Sequence, residues 1–307
     1  MKRKFSTNSR VVTDLFAQYA NTFSAFCELT NNSIQAGAKN IYINIKYTNE
    51  TEVSSVIISE IEIKDDGEGV TLSDLDSKLF DIGTTAKNGG KGIGRFAALQ
   101  LGAKVEIESV GFDLNENGYT KFILLIENTF FGNGKSISDL DIQCDENKLT
   151  GQVKTYYKVK ICDFYDQQNV EQNSKKKIVK EFLQPNICKS IFEKYPTKIF
   201  NKEIRFFVNG VFLNPEDFVI GEPDRLKTVF TNKKGEKQDM FFTFFKMNLD
   251  SDKVKVFLTV ENAGIESVAA GFEYEDNLLS PDLGTYFIYV NSPLFTVDNL
   301  RNLDLVV

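Results

Sequence analysis

The sequence predicts an α+β protein, and three features of its patterning support that class. Between residues 11 and 36, large apolar side chains recur every three or four positions, as they do on one face of a helix. Residues 41–47 instead alternate apolar and polar side chains, which is typical of a half-buried strand. Apolar runs predict further strands at 56–63, 104–110, 120–127 and 154–164, and we expect the last of these to close the sheet. Polar residues 128–150 are expected to form an excursion from it. A chain with helices and many strands that do not alternate regularly belongs to the α+β class.

Composition narrows the possible functions. The 307 residues can form one large domain or two medium ones, and 42% hydrophobic and 26% charged residues are ordinary for a globular protein. The net charge of −7 argues against a surface that coats nucleic acid. We expect no membrane association because no apolar run is long enough to span a bilayer. The four scattered cysteines favour buried thiols in a reducing cytoplasm, and the absence of histidine excludes histidine catalysis and histidine metal sites from this chain.

We predict two domains, residues 1–165 and residues 166–307. Polar residues 165–176 suit a linker between them. The second domain is predicted to contain helical stretches interrupted at Pro185 and two hairpins, the first turning at an Asn-Gly pair. Its predicted turns and strands lie at 209–210, 233–236, 254–260 and 285–290. We expect the natural protein to continue beyond Val307, because the last residues are apolar and show no stop signal.

The first motif is the stretch from Phe26 to Ala36, F-C-E-L-T-N-N-S-I-Q-A. On a helix, Glu28 and Asn32 stand four positions apart and project from the same face. A carboxylate there can hold a water molecule, and a carboxamide oxygen can ligate a hard cation. Taken alone, such a pair is more often a polar face turned to solvent.

The second motif is the stretch K-D-D-G-E-G-V, which follows the predicted strand at 56–63. Asp65, at the strand end, is placed to accept a hydrogen bond from a ligand amine. Gly67 and Gly69 allow a sharp turn and let a flat ligand approach the backbone closely. Taken alone, this pattern is more often a surface turn. A short helix is expected to start directly after it, at Thr71-Leu-Ser-Asp, with Ser73 as the candidate N-cap.

The third motif is a glycine-rich stretch, D-I-G-T-T-A-K-N-G-G-K-G-I-G-R-F, that leads into an apolar helical segment. Such a loop presents free backbone N–H groups to an anion at the start of a helix. The spacing of Gly89, Gly92 and Gly94 is a weak signal by itself. It is not a dinucleotide fingerprint, since no strand immediately precedes it, and it is not a Walker loop, since no Lys-Ser/Thr pair follows.

In this order and spacing, the three motifs resemble the GHKL ATPase superfamily, which includes DNA gyrase B subunits, the ninety-kilodalton heat-shock chaperone, MutL and Morc proteins, and histidine kinases. The motifs lie within residues 26–96, and the resemblance covers residues 1–165. It implies a Bergerat-type two-layer α/β sandwich, with ATP held between a mostly antiparallel sheet and a helical layer. A smaller α/β domain that is similar to the transducer of gyrase B and MutL would follow.

The resemblance also implies roles for single residues. Glu28 corresponds to the general base, Asn32 to the Mg²⁺ ligand and Asp65 to the residue that reads the adenine amine. The remaining residues expected to bind ATP are Gly67, Gly69, Thr85, Lys87, Gly89, Lys91, Gly92, Ile93, Gly94, Arg95 and Phe96. For the two lysines, a solvated position in a loop is an equally good interpretation.

Two positions depart from the family pattern. Relatives often carry Asp where this chain has Gln35, which alters support of the pocket without removing the base or the metal ligand. A Gly-Thr pair on a late strand is absent or displaced here, and Thr155 is a weak substitute.

Candidates for a cation that senses the γ-phosphate are Lys233, Lys234 and Arg301. Lysine clusters at 175–177 and 233–234 could bind DNA phosphates, although a solvated face is the better interpretation.

Two classes of function remain. The first is a nucleotide-gated dimer that hydrolyses ATP in a DNA transaction or in defence against foreign DNA, acting on DNA or on a partner effector protein, with residues 1–20 as the dimer arm. The second is a non-hydrolysing module in which ATP sets a conformation for a partner, and a chaperone-like ATPase is a further alternative. Glu28 favours hydrolysis, because a pure binder does not need a base. A histidine kinase is excluded by the missing acceptor histidine.

Overall fold

A computed structural model describes most of the chain and divides it into two compact units. The described residues are 2–4, 6–7, 21–48, 57–82, 97–127, 141–164, 178, 180–184, 186–231, 235, 237–248, 253–262, 265–274 and 284–296. Unit 1 comprises Met1–Ile187 and Glu203–Phe212, and unit 2 comprises Cys188–Lys202 and Leu213–Val307. The α+β prediction is confirmed, since unit 1 packs few helices on a large sheet and unit 2 is a smaller α/β region.

Unit 1 contains eleven described strands, nine of which form one large sheet. Its strands are β1 (Lys2–Lys4), β2 (Ser6–Thr7), β3 (Asn40–Thr48), β4 (Ile57–Asp65), β5 (Asp81–Ile82), β6 (Gly102–Asp113), β7 (Gly118–Glu127), β8 (Asp141–Leu149), β9 (Tyr156–Phe164), β10 (Arg205–Val208) and β11 (Val211–Phe212). The order in the large sheet is β1-β8-β7-β6-β9-β4-β3-β10-β11, antiparallel throughout except for the parallel pair β3–β10. Strands β2 and β5 form a separate parallel pair. The helical elements are α1 (Thr22–Gln35), a π-helical turn (Asp76–Phe80), α2 (Ala98–Leu101) and a 3-10 turn (Lys180–Phe182).

Helix α1 carries the first motif and has clear sequence signals at both ends. The Asn21 side chain caps its start by accepting a hydrogen bond from the Ser24 backbone N–H, at 2.8 Å. Gly37 ends it in the left-handed region, with φ of +73°. One side of the helix is buried, and there Phe26 meets the ring of Phe182 edge-on at 5.4 Å. The helical prediction is therefore confirmed for residues 22–35, while 11–20 lie outside the described residues.

The hydrophobic core of unit 1 lies between these helices and one face of the sheet. Residues paired across antiparallel strands share a face, so Ile43 and Ile63 face the same layer as Ile107 and its neighbours. Helix α1 contacts β4 and α2, and α2 contacts β6 and β9. The predicted strands at 41–47, 56–63, 104–110 and 120–127 are confirmed as β3, β4, β6 and β7.

Two predictions about the sheet are wrong. The strand at 154–164 was expected to close the sheet, but β9 lies in its interior, between β6 and β4. Residues 128–150 were expected to form an excursion, but their second part is strand β8, with Ile142 and Cys144 buried. Its other residues are mostly polar because they face solvent, so the strand contains too few apolar side chains for its alternation to be recognised.

The Asn-Gly hairpin is confirmed, but it belongs to unit 1 rather than to the second domain. Asn209 and Gly210 have φ of +48° and +80°, as a type I′ turn requires. Strand β10 pairs in parallel with β3. Asn209 fastens this pair twice: its side-chain oxygen accepts a hydrogen bond from Ile45 N–H at 2.7 Å, and its backbone N–H donates to Ile43 C=O at 2.8 Å.

Unit 2 contains a five-stranded sheet of order β12-β13-β16-β14-β15. Its elements are α3 (Asn186–Lys194, which begins in unit 1), α4 (Pro196–Phe200), a 3-10 turn (Pro215–Asp217), β12 (Asp224–Thr231), β13 (Lys237–Lys246), β14 (Val254–Asn262), β15 (Ile265–Tyr274) and β16 (Tyr286–Asn291). Phe192 of α3 stacks on Phe218 at 5.0 Å and meets Phe245 of β13 edge-on. The predicted strands at 254–260 and 285–290 are confirmed as β14 and β16. Strands β12 and β13 pair antiparallel on either side of the predicted turn at 233–236, of which only residue 235 is described. In the described part of the chain, no helix is long and apolar enough to cross a membrane.

Candidate functional site

The first two motifs meet at Asp65. This residue ends β4 and is 2% exposed. Its carboxylate accepts a hydrogen bond from the backbone N–H of Gly67 at 2.9 Å. The Ser33 hydroxyl of α1, which also lies 3.4 Å from Leu29 C=O, and the backbone N–H of Tyr157 of β9 are the other two donors that favour its ionised form. Burial raises the pKa of Asp65 above its ordinary value, and these three donors oppose that rise. One carboxylate thus joins the helix to two central strands.

The loop after β4 is held against the end of α1. The Glu68 backbone N–H donates to Ala36 C=O at 3.2 Å. A Cβ atom at Gly67 would stand 2.8 Å from the same carbonyl oxygen, which is too close for any side chain. Gly67 is therefore required by a close approach within the protein itself.

Gly69 is required even more strictly. Its φ is +70°, and a Cβ there would lie 2.2 Å from Val110 C=O and 3.0 Å from Tyr156 C=O. The loop consequently crosses directly over the backbones of β6 and β9. Both glycines were expected to leave room for a flat ligand. The protein's own contacts already account for them, and the role towards a ligand stays a prediction.

Glu28 and Asn32 are half-buried residues of α1. They lie beside the buried side of the helix, which carries Leu29 and Ser33. Asp65 and the Ser33 hydroxyl are partners, and Ser33 lies on the same helix as Glu28 and Asn32. The residues predicted to act as base, metal ligand and adenine reader are thus linked through α1.

Most of the third motif lies outside the described residues, and the structure describes the segment that follows it. Thr85, Lys87, Gly89, Lys91, Gly92, Ile93, Gly94, Arg95 and Phe96 lie outside the described residues, as do Lys233, Lys234 and Arg301. Residues Ala98–Leu101, which follow directly, form α2, are fully buried and contact α1. A Cβ at Gly102 would lie 2.3 Å from Cys162 C=O, so the chain after the loop runs tightly onto β9. The described segment that follows the third motif therefore lies beside the helix that carries the first.

Sequence reasoning missed the residues that hold the loop on the sheet. Ser109 is buried on β6, and its hydroxyl accepts from Val70 N–H at 2.8 Å and lies 3.1 Å from Tyr156 C=O. Thr120 of β7 accepts from Leu72 N–H at 3.1 Å. The sequence signal that could have found Ser109 and Thr120 is a polar residue at a strand position where the alternation predicts a buried apolar one.

Ser73 does not cap the short helix that was expected after Thr71. Its backbone N–H and its hydroxyl both donate to the Asp113 carboxylate, at 3.0 and 2.9 Å. The capping role falls to Thr71, whose hydroxyl oxygen accepts from Asp74 N–H at 3.2 Å. The Ser73 side chain is engaged in this tertiary contact with Asp113 and therefore does not cap the local turn.

A second carboxylate, Asp66, fastens the start of β3. It accepts from the backbone N–H groups of Lys39 and Asn40, both at 2.8 Å, and from the Asn40 side chain. Burial acts to raise the pKa of Asp66, but these hydrogen bonds outweigh it and hold the pKa below its ordinary value. The adjacent Asp65 and Asp66 thus have different partners and opposite pKa shifts.

The opposite face of the sheet carries a charged cluster behind this site. The Glu108 carboxylate forms ion pairs with Lys121, at 2.5 Å, and with Lys158. It also accepts a hydrogen bond from the Tyr156 hydroxyl at 2.7 Å. Burial opposes ionisation, but the two lysines and the tyrosine lower the pKa of Glu108 to about 2. The cluster joins β6 to β9 one residue from Tyr157, whose N–H holds Asp65.

The two departures from the family pattern can also be placed. Gln35 is exposed on the last turn of α1. Thr155 is half-buried just before β9, and the residue paired with Asp65 across the strands is Tyr157. The backbone of Tyr157, rather than a threonine side chain, supplies the donor at this position.

These features define a class: an α+β domain in which a helix with a carboxylate and a carboxamide lies on an antiparallel sheet, beside a buried aspartate and a glycine turn. Residues 19–155 match the family model described as histidine kinase-, DNA gyrase B-, and HSP90-like ATPase. The resemblance to the GHKL ATPase superfamily is therefore confirmed for this part of the chain.

One similar solved structure is the ATPase region of Saccharomyces cerevisiae topoisomerase II bound to ICRF-187 (dexrazoxane). The two chains are 13% identical, and the match covers 87% of this chain and 72% of that one, with a TM-score of 0.42. No curated protein matches this chain.

Proposed function

We propose that the chain binds ATP with Mg²⁺ through the Asp65 site, hydrolyses it slowly and dimerises under nucleotide control. The observation that supports this proposal most directly is the position of Asp65. It is a buried carboxylate between α1 and β9, inside the span that matches the ATPase family, and the helix that contacts it also carries Glu28 and Asn32.

The donor set around Asp65 is compatible with adenine recognition. An ionised carboxylate offers about four lone-pair sites, and the protein uses three of them. The fourth can accept a hydrogen bond from an exocyclic amine. Because the residue is 2% exposed, that hydrogen bond would form in a low local dielectric and would be correspondingly strong.

The residues also fit a magnesium ion held mainly by phosphates. Among the described residues, no group of three His, Cys, Asp or Glu side chains could hold a metal. Mg²⁺ commonly takes only one or two protein ligands beside water and phosphate oxygens, so the single carboxamide of Asn32 suffices. When bound, Mg-ATP supplies the phosphoryl group and the charge-neutralising metal. Glu28 would hold the attacking water and accept its proton, in a reaction that depends mostly on positioning.

The test separates binding from hydrolysis. Glu28→Ala should lower the rate of phosphate release by roughly 10²-fold or more, as loss of a general base does, while ATP affinity measured by calorimetry stays close to that of the parent. Asn32→Ala should weaken binding that depends on Mg²⁺. The matched control is Asn31→Ala, which removes the same side chain from the adjacent position of the same helix. Unchanged turnover in Glu28→Ala would overturn the assignment of the base.

The role of the ATP cycle is a further proposal, and it rests on the resemblance to MutL and Morc proteins. We place it in a DNA transaction or in defence against foreign DNA, with DNA or an effector protein as partner. Stimulation of phosphate release by duplex DNA would support this role, whereas no change over a wide range of DNA concentrations would contradict direct action on DNA. A parent chain that binds ATP but releases phosphate no faster than Glu28→Ala would instead be a non-hydrolysing module.

A further inference from the structure

The two sheets differ in how their edge strands are protected. An edge strand presents unpaired N–H and C=O groups, and proteins usually shorten, bulge or cover such edges. In the large sheet, the outermost described strands are β1 with three residues and β11 with two. In the small sheet, β15 meets β14 with a register shift at Leu258/Thr259. Strand β12 alone, among the described edges, is long and regular: it has eight residues and pairs with β13 from end to end without a shift.

The second half of strand β12 carries exposed apolar side chains, and its charged residues lie in the first half. All eight of its side chains are exposed, with Leu226 at 53% and Phe230 at 48% on the same face. It contains no proline. Its lysine, Lys227, is tied back to its own sheet, 2.8 Å from the Asp239 carboxylate and 5.3 Å from the ring centroid of Phe241. Lys227 therefore reaches over β13, and the other two charged residues, Asp224 and Arg225, occupy the first two positions of the strand.

The apolar face that Leu226 and Phe230 begin continues across the sheet. Leu226 is paired with Phe242, which is paired with Val290. The half-exposed or exposed members of this face farther in include Phe244, Ile288, Val256, Leu258 and Phe272. The opposite face holds the buried residues Phe245, Phe287 and Tyr289, which form the core of unit 2. This apolar face is thus buried at Val290 and becomes exposed towards β12, the outermost described strand on that side of the sheet.

We propose that β12 pairs antiparallel with β12 of a second copy of this chain, about a two-fold axis at Thr228. A two-fold axis perpendicular to the sheet keeps each face continuous, so residues of equal parity must lie opposite each other. When the pair is centred on Thr228, Leu226 of each copy lies opposite Phe230 of the other copy, which gives two such pairs. Thr228 lies opposite Thr228 of the second copy. These are the apolar and threonine pairs that stabilise sheets.

The neighbouring register of equal length is unfavourable. Centring the pair on Lys227 would place two lysines directly opposite each other, and like charges in that position are destabilising. It would also set Leu226 against Thr228, so the two large apolar side chains would lose their cross-strand partners. The order of residues in β12 therefore selects one self-complementary register.

The first experiment is sedimentation velocity without nucleotide, with the parent expected to be a dimer. Thr228→Lys and Thr228→Asp each place like charges at the axis and should weaken the dimer by about tenfold or more. An equimolar mixture of the two should re-form it, because Lys then faces Asp. A folding defect could not be rescued in this way. A monomeric parent at all concentrations, or a mixture that stays monomeric, would overturn the proposal.

The second experiment tests the register by oxidative cross-linking. Opposite residues of antiparallel strands are about 4.5–5.5 Å apart at Cα, within reach of a disulfide, so Thr228→Cys should cross-link two copies. Val229→Cys is the matched control on the same exposed strand. In the proposed register its two copies are about 8 Å apart and should cross-link poorly. Equal cross-linking of the two variants would show that the register is wrong.

Discussion

Replacing Asp65 with asparagine tests the site at the residue where its parts meet. The substitution keeps the shape of the side chain but turns one oxygen acceptor into an N–H donor. Three protein donors point at the carboxylate, from Gly67, Ser33 and Tyr157. The Ser33 hydroxyl can reverse and accept, but a backbone N–H cannot. Asparagine must therefore leave either a backbone N–H or the ligand amine facing another donor.

The size of the effect follows from that mismatch. A hydrogen bond to a charged group contributes about 1.5–3 kcal/mol, so losing the bond to a ligand amine should weaken ATP binding by roughly 10–100-fold. Stability should change less. A buried unpaired N–H costs about 1–3 kcal/mol, but burial already penalises the ionised carboxyl, as its raised pKa indicates, and asparagine removes that penalty. We expect a loss of about 1 kcal/mol in the free energy of unfolding.

Calorimetry with ATP and with ADP, each in the presence of Mg²⁺, measures the binding loss, and urea denaturation measures stability. Both nucleotides should lose the same factor, since the adenine is common to them. Asp66→Asn is the control, because the adjacent carboxylate holds Lys39 and Asn40 instead. ATP affinity in Asp65→Asn equal to that of the control would refute the adenine assignment.

Two further predictions concern the sheet and the dimer. The Glu108 carboxyl has a pKa lowered from 4.5 to about 2, so its ion pairs contribute stability above pH 4.5 that is lost as the pH falls towards 2. Glu108→Gln should lower the free energy of unfolding by about 1–2 kcal/mol at pH 7 in urea titrations, reduced by partial solvent screening, and the same difference at pH 3 would contradict this. In the Thr228→Lys background, light scattering should report a monomer without nucleotide and a dimer with a non-hydrolysable ATP analogue. Deleting residues 1–20 should abolish that dimer, and an unchanged mass in both nucleotide states would contradict nucleotide gating.

Several parts of this protein follow from local sequence because local physics decides them. The Asn-Gly pair at 209–210 determines a type I′ turn wherever the hairpin goes, since both residues tolerate positive φ. Helix α1 could be predicted from its apolar spacing and from Gly37 at its end. The motif order identified the superfamily for the same reason, because each motif is short and contiguous.

The tertiary structure, by contrast, decided which distant segments pair with each other. Local pattern cannot tell a strand in the interior of a sheet from one at its edge, so β9 was expected to close the sheet and the β10–β11 hairpin was expected in the second domain. The donors of Asp65 come from α1 and from β9, far apart in sequence, and only folding brings Ser33 and Tyr157 to the same carboxylate. Likewise, Gly69 could be recognised as a turn glycine, but its physical necessity lies in the carbonyls of Val110 and Tyr156, which no local rule connects to it.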